Sequence, residues 1–99
     1  MYYTYIIRCK DNSLYTGYTS DIKRRLEEHK KGIYCKYTRA RGFKNLEVYF
    51  VSNTKSKAMK LECYIKKHTK VKKLWIINNP NAFIESLENN KDYTVGNIL

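Results

Sequence analysis

The sequence predicts a single α+β domain. Three observations carry that prediction: a Tyr-, Ile- and Thr-rich opening broken by turn residues, two stretches whose apolar residues repeat at helical spacing, and a continuous apolar and aromatic run between them. Tyr2 to Cys9 reads as a strand, Lys10 to Ser13 supplies turn residues, and Leu14 to Thr19 is the antiparallel hairpin partner. Ser20 or Asp21 offers an oxygen to the orphan amides of a helix on which Ile22, Leu26 and His29 repeat; it runs to about Lys31, and Gly32 ends it. Tyr34 to Lys44 is basic and aperiodic and is predicted to be a loop. Leu46 to Val51 is a third strand, apolar enough to be central or well covered. Ser52 to Thr54 caps a second helix marked by Ala58, Leu61 and Ile65 and running to about His68. Val71, Leu74, Trp75 and Ile77 form a further apolar group closed by Pro80, and Asn81 caps a short helix through Leu87. Residues 1–88 are expected to form the domain, with a polar tail over 89–99 that frays.

At 99 residues the chain has room for one modest core. Twenty Lys and Arg against nine Asp and Glu give a formal net charge of +11, which favours a polyanionic partner, nucleic acid first and an acidic membrane surface second. The longest apolar runs are only a few residues and no signal peptide is visible, so no membrane partner is expected. Cys9, Cys35 and Cys63 are odd in number and lack metal-type spacing, which points to free thiols in a reducing, cytoplasmic compartment and to buried packing roles.

The residues with chemistry are few. Tyr5 and Tyr15 lie on the two hairpin strands, although ten tyrosines make any one of them a plausible packing residue. Arg25 and His29 are four apart and share a helix face. Gly17 is either a bulge or close backbone approach, or a place beside substrate. His29 could equally cover the last turn of its helix, where the dipole favours positive charge. Glu62 is the only acid among eight lysines between Thr54 and Lys73, within or beside the apolar stripe. It is a salt-bridge partner, a metal ligand or an edge residue, and helical position alone favours the salt bridge.

Tyr3-Thr4-Tyr5, Leu14-Tyr15-Thr16-Gly17, Ile22, Arg25-Leu26, His29 and Leu61-Glu62 with Ile65-Lys66-Lys67 together resemble the GIY-YIG nuclease superfamily over about two thirds of the chain. The short length and the Asp-Asn turn are similar to its small stand-alone bacterial members, of the kind of YhbQ and YazA. The resemblance implies a three-stranded antiparallel sheet flanked by helices and a metal-dependent cut of a phosphodiester, with DNA favoured over RNA. It implies that Glu62 binds magnesium or manganese, that Tyr5 takes a proton from the attacking water with its phenol held well below the usual value of about 10, that Arg25 stabilises phosphate charge, that Tyr15 orients water or phosphate, and that His29 assists proton transfer. Lys66 and Lys67, with Lys36, Arg39, Arg41 and Lys44, are expected to carry the phosphate backbone. Tyr34 and Tyr37 are either stacking platforms for unpaired bases or loop anchors. So small a domain has little surface for base readout, so selectivity for structure and a recruiting protein partner are expected.

Two departures stand out. Tyr3 and Thr4 occupy the positions of the family's opening Gly and Ile. Leu74 stands where many relatives carry an Asn, with Asn78 and Asn79 the nearest candidates. The first bears on the strand more than on the chemistry; the second leaves room for a non-cutting nucleic-acid-binding module, and the same basic surface would also suit a structural protein on an RNA particle. Finally, both phenols can share a sheet face only if residues paired across the hairpin have an even sum of numbers, which predicts a three-residue loop at Asp11 to Ser13 pairing Cys9 with Tyr15, or a bulge of the same effect.

Overall fold

The computed structural model describes residues 1–97. β1 (Tyr2–Cys9) and β2 (Leu14–Thr19) form the predicted antiparallel hairpin, and α1 (Ile22–Lys30) follows. Then come α2 (Lys36–Arg41), β3 (Phe43–Ser52), α3 (Lys55–Lys66), α4 (Lys70–Asn78), α5 (Pro80–Glu85), a 3-10 turn (Asn90–Asp92) and β4 (Thr94–Val95). The strands lie in the order β2-β1-β3-β4, every pair antiparallel. This is the expected α+β sheet flanked by helices, with four strands instead of three.

Side chains alternate along β1, and each face has its own core. Ile6 belongs with Val48, Phe50, Leu61, Ile65, Ile76 and Phe83, the layer made by α3, α4 and α5. Tyr5 and Ile7 point the other way and meet Ile22 and Leu26 of α1. Thr4 ties the first face down, its hydroxyl donating to the Ala58 carbonyl at 2.9 Å.

The hairpin register satisfies the even sum, since Tyr5 pairs with Gly17 and Ile7 with Tyr15. The loop is shifted by one residue from the prediction. Cys9 bonds Ser13 rather than pairing with Tyr15, and the three residues between are Lys10, Asp11 and Asn12. Asn12 takes the left-handed conformation at φ 69°, which Asn tolerates better than Ser, and Asp11 accepts from the Ser13 amide and hydroxyl.

Other boundaries differ for local reasons. Asp21 caps α1, its carboxylate accepting from the Arg24 amide at 3.1 Å, and Gly32 leaves the helix at φ 69°. The segment read as a loop contains α2, a helix of six residues too short to show an apolar period and held instead through buried Thr38 and through the Tyr37 hydroxyl, which donates to the Leu14 carbonyl at 3.3 Å. Asn79, not Asn81, precedes α5, with Pro80 in its first turn. Val71 is 79% exposed and Ile76 is the buried residue of α4. Near the C-terminus, Tyr93 is buried and its hydroxyl donates to the Lys57 carbonyl at 2.7 Å, which lays Thr94 and Val95 beside β3 where fraying was expected. Of the cysteines, only Cys9 is buried; Cys35 is half-buried and Cys63 exposed, and all three are free.

Candidate active site

Tyr5 and Gly17 sit opposite each other, and the missing side chain makes the room the phenol occupies. A Cβ on Gly17 would stand 2.5 Å from Tyr5 Oη and 2.7 Å from Cζ. Tyr15, one pair further along β2, brings its ring to 6.4 Å from that of Tyr5. From α1, His29 lies 5.7 Å from the Tyr5 ring and 5.3 Å from the Tyr15 ring, each edge to face.

His29 is 1% exposed and both ring nitrogens are occupied. Nε2 lies 2.8 Å from Tyr5 Oη and Nδ1 2.8 Å from Thr38 Oγ1. The buried phenol has no other acceptor for its proton among the described residues, so Tyr5 donates to Nε2 and Nδ1–H donates to Thr38. Burial, reinforced by the charge of Arg25, lowers the His29 pKa to about 4, so the imidazole is neutral at pH 7. Thr38 Oγ1 also approaches Cys35 Sγ at 3.5 Å. Burial would raise that thiol, but hydrogen bonds from Thr38, Tyr15 and the Tyr37 backbone together outweigh it and lower it. Replacing Thr38 with Val strands Nδ1–H and is expected to cost about 1–3 kcal/mol in urea unfolding, with Ser recovering most of the loss; unchanged stability in Thr38→Val would show that water serves His29 instead.

Arg25 is held rather than free. Its Nε donates to Glu28 at 3.1 Å, Nη1 donates to the Tyr18 carbonyl at 3.2 Å, and the guanidinium lies 3.7 Å from the centre of the Tyr34 ring. Its charge reaches the Tyr5 phenol and favours ionisation there, but burial dominates and pushes Tyr5 well above its ordinary range. Tyr15 is raised as well, by burial first, with the Glu62 carboxylate among the smaller contributors. The protein by itself therefore holds Tyr5 as a neutral phenol, the reverse of the low value expected from the resemblance, because a ring sealed under His29 and Gly17 loses hydration that one guanidinium does not replace.

Glu62 comes from α3, which covers the opposite face and meets the site at the edge strand β2. Its side chain is 16% exposed, and Lys66, one turn on, stands 3.6 Å from its carboxylate and 5.9 Å from the centre of the Tyr15 ring. Two phenols, an imidazole and a guanidinium thus meet at one place with a carboxylate at its rim.

The family described as the GIY-YIG catalytic domain matches residues 1–74. The chain belongs to the GIY-YIG family. It is 42% identical over 88 residues to a UPF0213 protein of Fusobacterium nucleatum, covering 89% of this chain and 88% of that one. A UPF0213 protein of Clostridium perfringens is 41% identical over 88 residues, covering 89% and 95% of the two chains. The solution NMR structure of a UPF0213 protein from Bacillus halodurans superposes with a TM-score of 0.51 at 41% identity, covering 79% of this chain and 84% of that one. Membership in the family suggests a nuclease-like role.

Around this GIY-YIG site the basic residues divide. Lys36 and Arg39 are exposed on α2, beside Thr38 and Tyr37, whose ring lies 5.4 Å from that of Tyr15. Arg41 is tied to Asp11 at 2.7 Å and lies over Tyr37, clasping α2 to the hairpin while its side chain stays 46% exposed. Lys66 stands at the rim, while Lys44 and Lys67 are exposed without ion-pair partners among the described residues. Leu74 is half-buried, Asn78 is exposed, and the Asn79 amide donates to the Trp75 carbonyl at the end of α4. Sequence reasoning missed Thr38 and Cys35 and gave Tyr34 no contact with Arg25. A usable signal existed: Thr38 is the only aliphatic hydroxyl between Gly32 and Gly42, and a His buried by its helix face needs a second partner close by.

Proposed function

We propose that this chain is a metal-dependent nuclease that hydrolyses phosphodiester bonds in nucleic acid, DNA in the first place, with Tyr5, Tyr15, Arg25, His29 and Glu62 as its catalytic residues. The observation that carries this reading is the convergence of Tyr5, Tyr15, His29 and Arg25 next to the half-buried carboxylate of Glu62. Glu62 is the residue that holds the ion. The donor set fits magnesium, or manganese in its place, since such ions are commonly held by one or two carboxylates, waters and substrate phosphates. The Lys66 ammonium at 3.6 Å is beyond a good hydrogen bond and leaves the Glu62 oxygens available. When bound, the ion supplies Lewis-acid stabilisation of the leaving oxygen.

The chain's own groups do the rest. Tyr5 is neutral and already donates to His29, so it accepts a proton from the attacking water as it passes its own to Nε2. His29 is the acceptor at the end of that relay, and Thr38 fixes its tautomer. Arg25 directs its remaining donors at the phosphate. Tyr15 orients water or phosphate, and the exposed lysines with Arg39 hold the backbone on either side. Free cysteines support a reducing compartment, the cytoplasm, as the place of action. Among the described residues, no helix is long and apolar enough to cross a membrane.

Incubation with nicked, branched and single-stranded DNA and RNA, with magnesium or with chelator, tests the proposal. Cleavage that requires the metal is expected on at least one substrate. Tight, salt-sensitive binding with no cut on any of them would instead identify a binding module, for which the loss of the family Asn at Leu74 gives a reason.

A further inference from the structure

α3 turns Ala58, Leu61 and Ile65 into the core and leaves an outer face on which Met59 is 42% and Tyr64 45% exposed. Helical spacing orders that face from the site outward: Glu62 and Lys66 at the rim, then Lys67 and Lys60, then Tyr64 on the side toward α5. Tyr64 stands between two concavities. One is a shallow depression of about 850 Å³ with Met59, Cys63 and Lys67. The other is a crevice of about 490 Å³ lined by Leu61 and Leu87, with Ser86 and Asn89 also lining it. The Tyr64 ring lies 6.2 Å from that of Phe83 at 20°, and edge-on to His68 at 4.7 Å, so its orientation is set while much of it stays open.

The charge along α3 itself is one-sided, with Glu88 the one acid lining the crevice beside it. Eight lysines and one acid occupy residues 55–73, and only Lys57 and Lys66 have ion-pair partners among the described residues. A polyanion is the complementary occupant. An anionic membrane would need a continuous bulky apolar face next to the lysines, whereas Ala58, Leu61 and Ile65 are spent on the core and only Met59 and Tyr64 stand open among the lysines of α3. A duplex presents phosphates but no open base to an aromatic ring, whereas an unpaired strand presents both.

We infer that the outer face of α3 is a second contact surface for the unpaired strand of a nucleic-acid substrate, with phosphates on Lys60 and Lys67 and a base stacked on Tyr64 over the crevice beside α5. The inference rests on the nucleic-acid reading of the site and deepens it: substrates carrying a single-stranded arm are preferred, the arm crossing α3, a helix about 10–12 Å wide.

Fluorescence anisotropy in chelator, where no cutting occurs, tests this with labelled oligothymidylate, oligouridylate and a blunt duplex of equal length. Tyr64→Ala is expected to weaken single-strand binding on the order of tenfold and to leave duplex binding within about twofold, while Tyr64→Phe binds as the parent does. Lys60→Ala with Lys67→Ala weakens the same probes and lowers the salt slope by roughly two. Tyr64 dependence on either single strand supports the surface, including in a protein that proves unable to cut, which would remove the nuclease reading alone. Equal losses on single strand and duplex, or parent-like single-strand binding by Tyr64→Ala in a protein that does cut, would overturn it. So would stronger retention on phosphatidylserine vesicles than on either oligonucleotide.

Discussion

Glu62→Gln is expected to reduce divalent-ion-dependent cleavage by several kcal/mol of transition-state stabilisation, on the order of a thousandfold, while leaving the fold intact. The substitution keeps shape and removes charge from the one carboxylate at the rim of the phenol cluster. Its present partner, Lys66, is 49% exposed and 3.6 Å away, and a pair so open contributes little, so stability should shift by less than about 1 kcal/mol. Tyr5→Phe makes a different pattern. It deletes the relay hydroxyl, for which general acid–base catalysis sets a loss of about 10²–10⁴-fold. It also strips His29 Nε2 of its partner inside the core, which costs about 1–3 kcal/mol of stability. Single-turnover cleavage at saturating magnesium, read beside urea unfolding, separates the two. Parent-like cutting by Glu62→Gln would remove the carboxylate from the mechanism, and a Tyr5→Phe protein that unfolds sooner but cuts normally would leave Tyr5 a packing residue.

How much of this was legible before the structure depended on the range of the forces involved. The hairpin and the helices around Leu26 and Leu61 are local patterns of alternation, spacing and capping, and they fall within a residue or two of where they were read. Parity constrained the register, because a slip of one residue would turn Tyr5 away from Tyr15. The position of the loop escaped, since Asn12 and Ser13 compete for one left-handed position and the ladder decides between them. α2 and β4 were hidden for a related reason. Neither carries a periodic signal; α2 is fastened by Thr38 and Tyr37, and β4 follows Tyr93 into the core. At the site, residue types and order pointed to Tyr5, Tyr15, Arg25, His29 and Glu62, and the structure gathers them. The electrostatics ran against expectation: Arg25 suggests an acidified phenol on paper, but the burial that brings it near is the larger influence.

That same burial makes His29 a pH-dependent weak point in the fold. Its pKa is about 4 when folded against an ordinary value of about 6.5, so between those limits the unfolded chain binds a proton that the folded chain refuses. A depressed folded value contributes stability that is complete above pH 6.5 and is lost as the pH falls toward 4. The slope is about 1.4 kcal/mol per pH unit and the total on the order of 3 kcal/mol. Urea unfolding at pH 7, 6 and 5 is expected to show the parent losing stability across this window, ahead of most carboxylate titration. His29→Gln, which offers both a donor and an acceptor but no titration, should be nearly flat over the same range. Parallel curves for the two proteins would mean that His29 is solvated and protonates at its ordinary value. The relay makes a matching demand on catalysis, because Nε2 must be unprotonated to receive the Tyr5 proton. With His29 neutral down to about pH 4, cleavage by folded protein should show no acid limb near pH 6.5. An acid limb at that position, absent from His29→Gln, would place the imidazole in water and break the chain of donors from Tyr5 to Thr38.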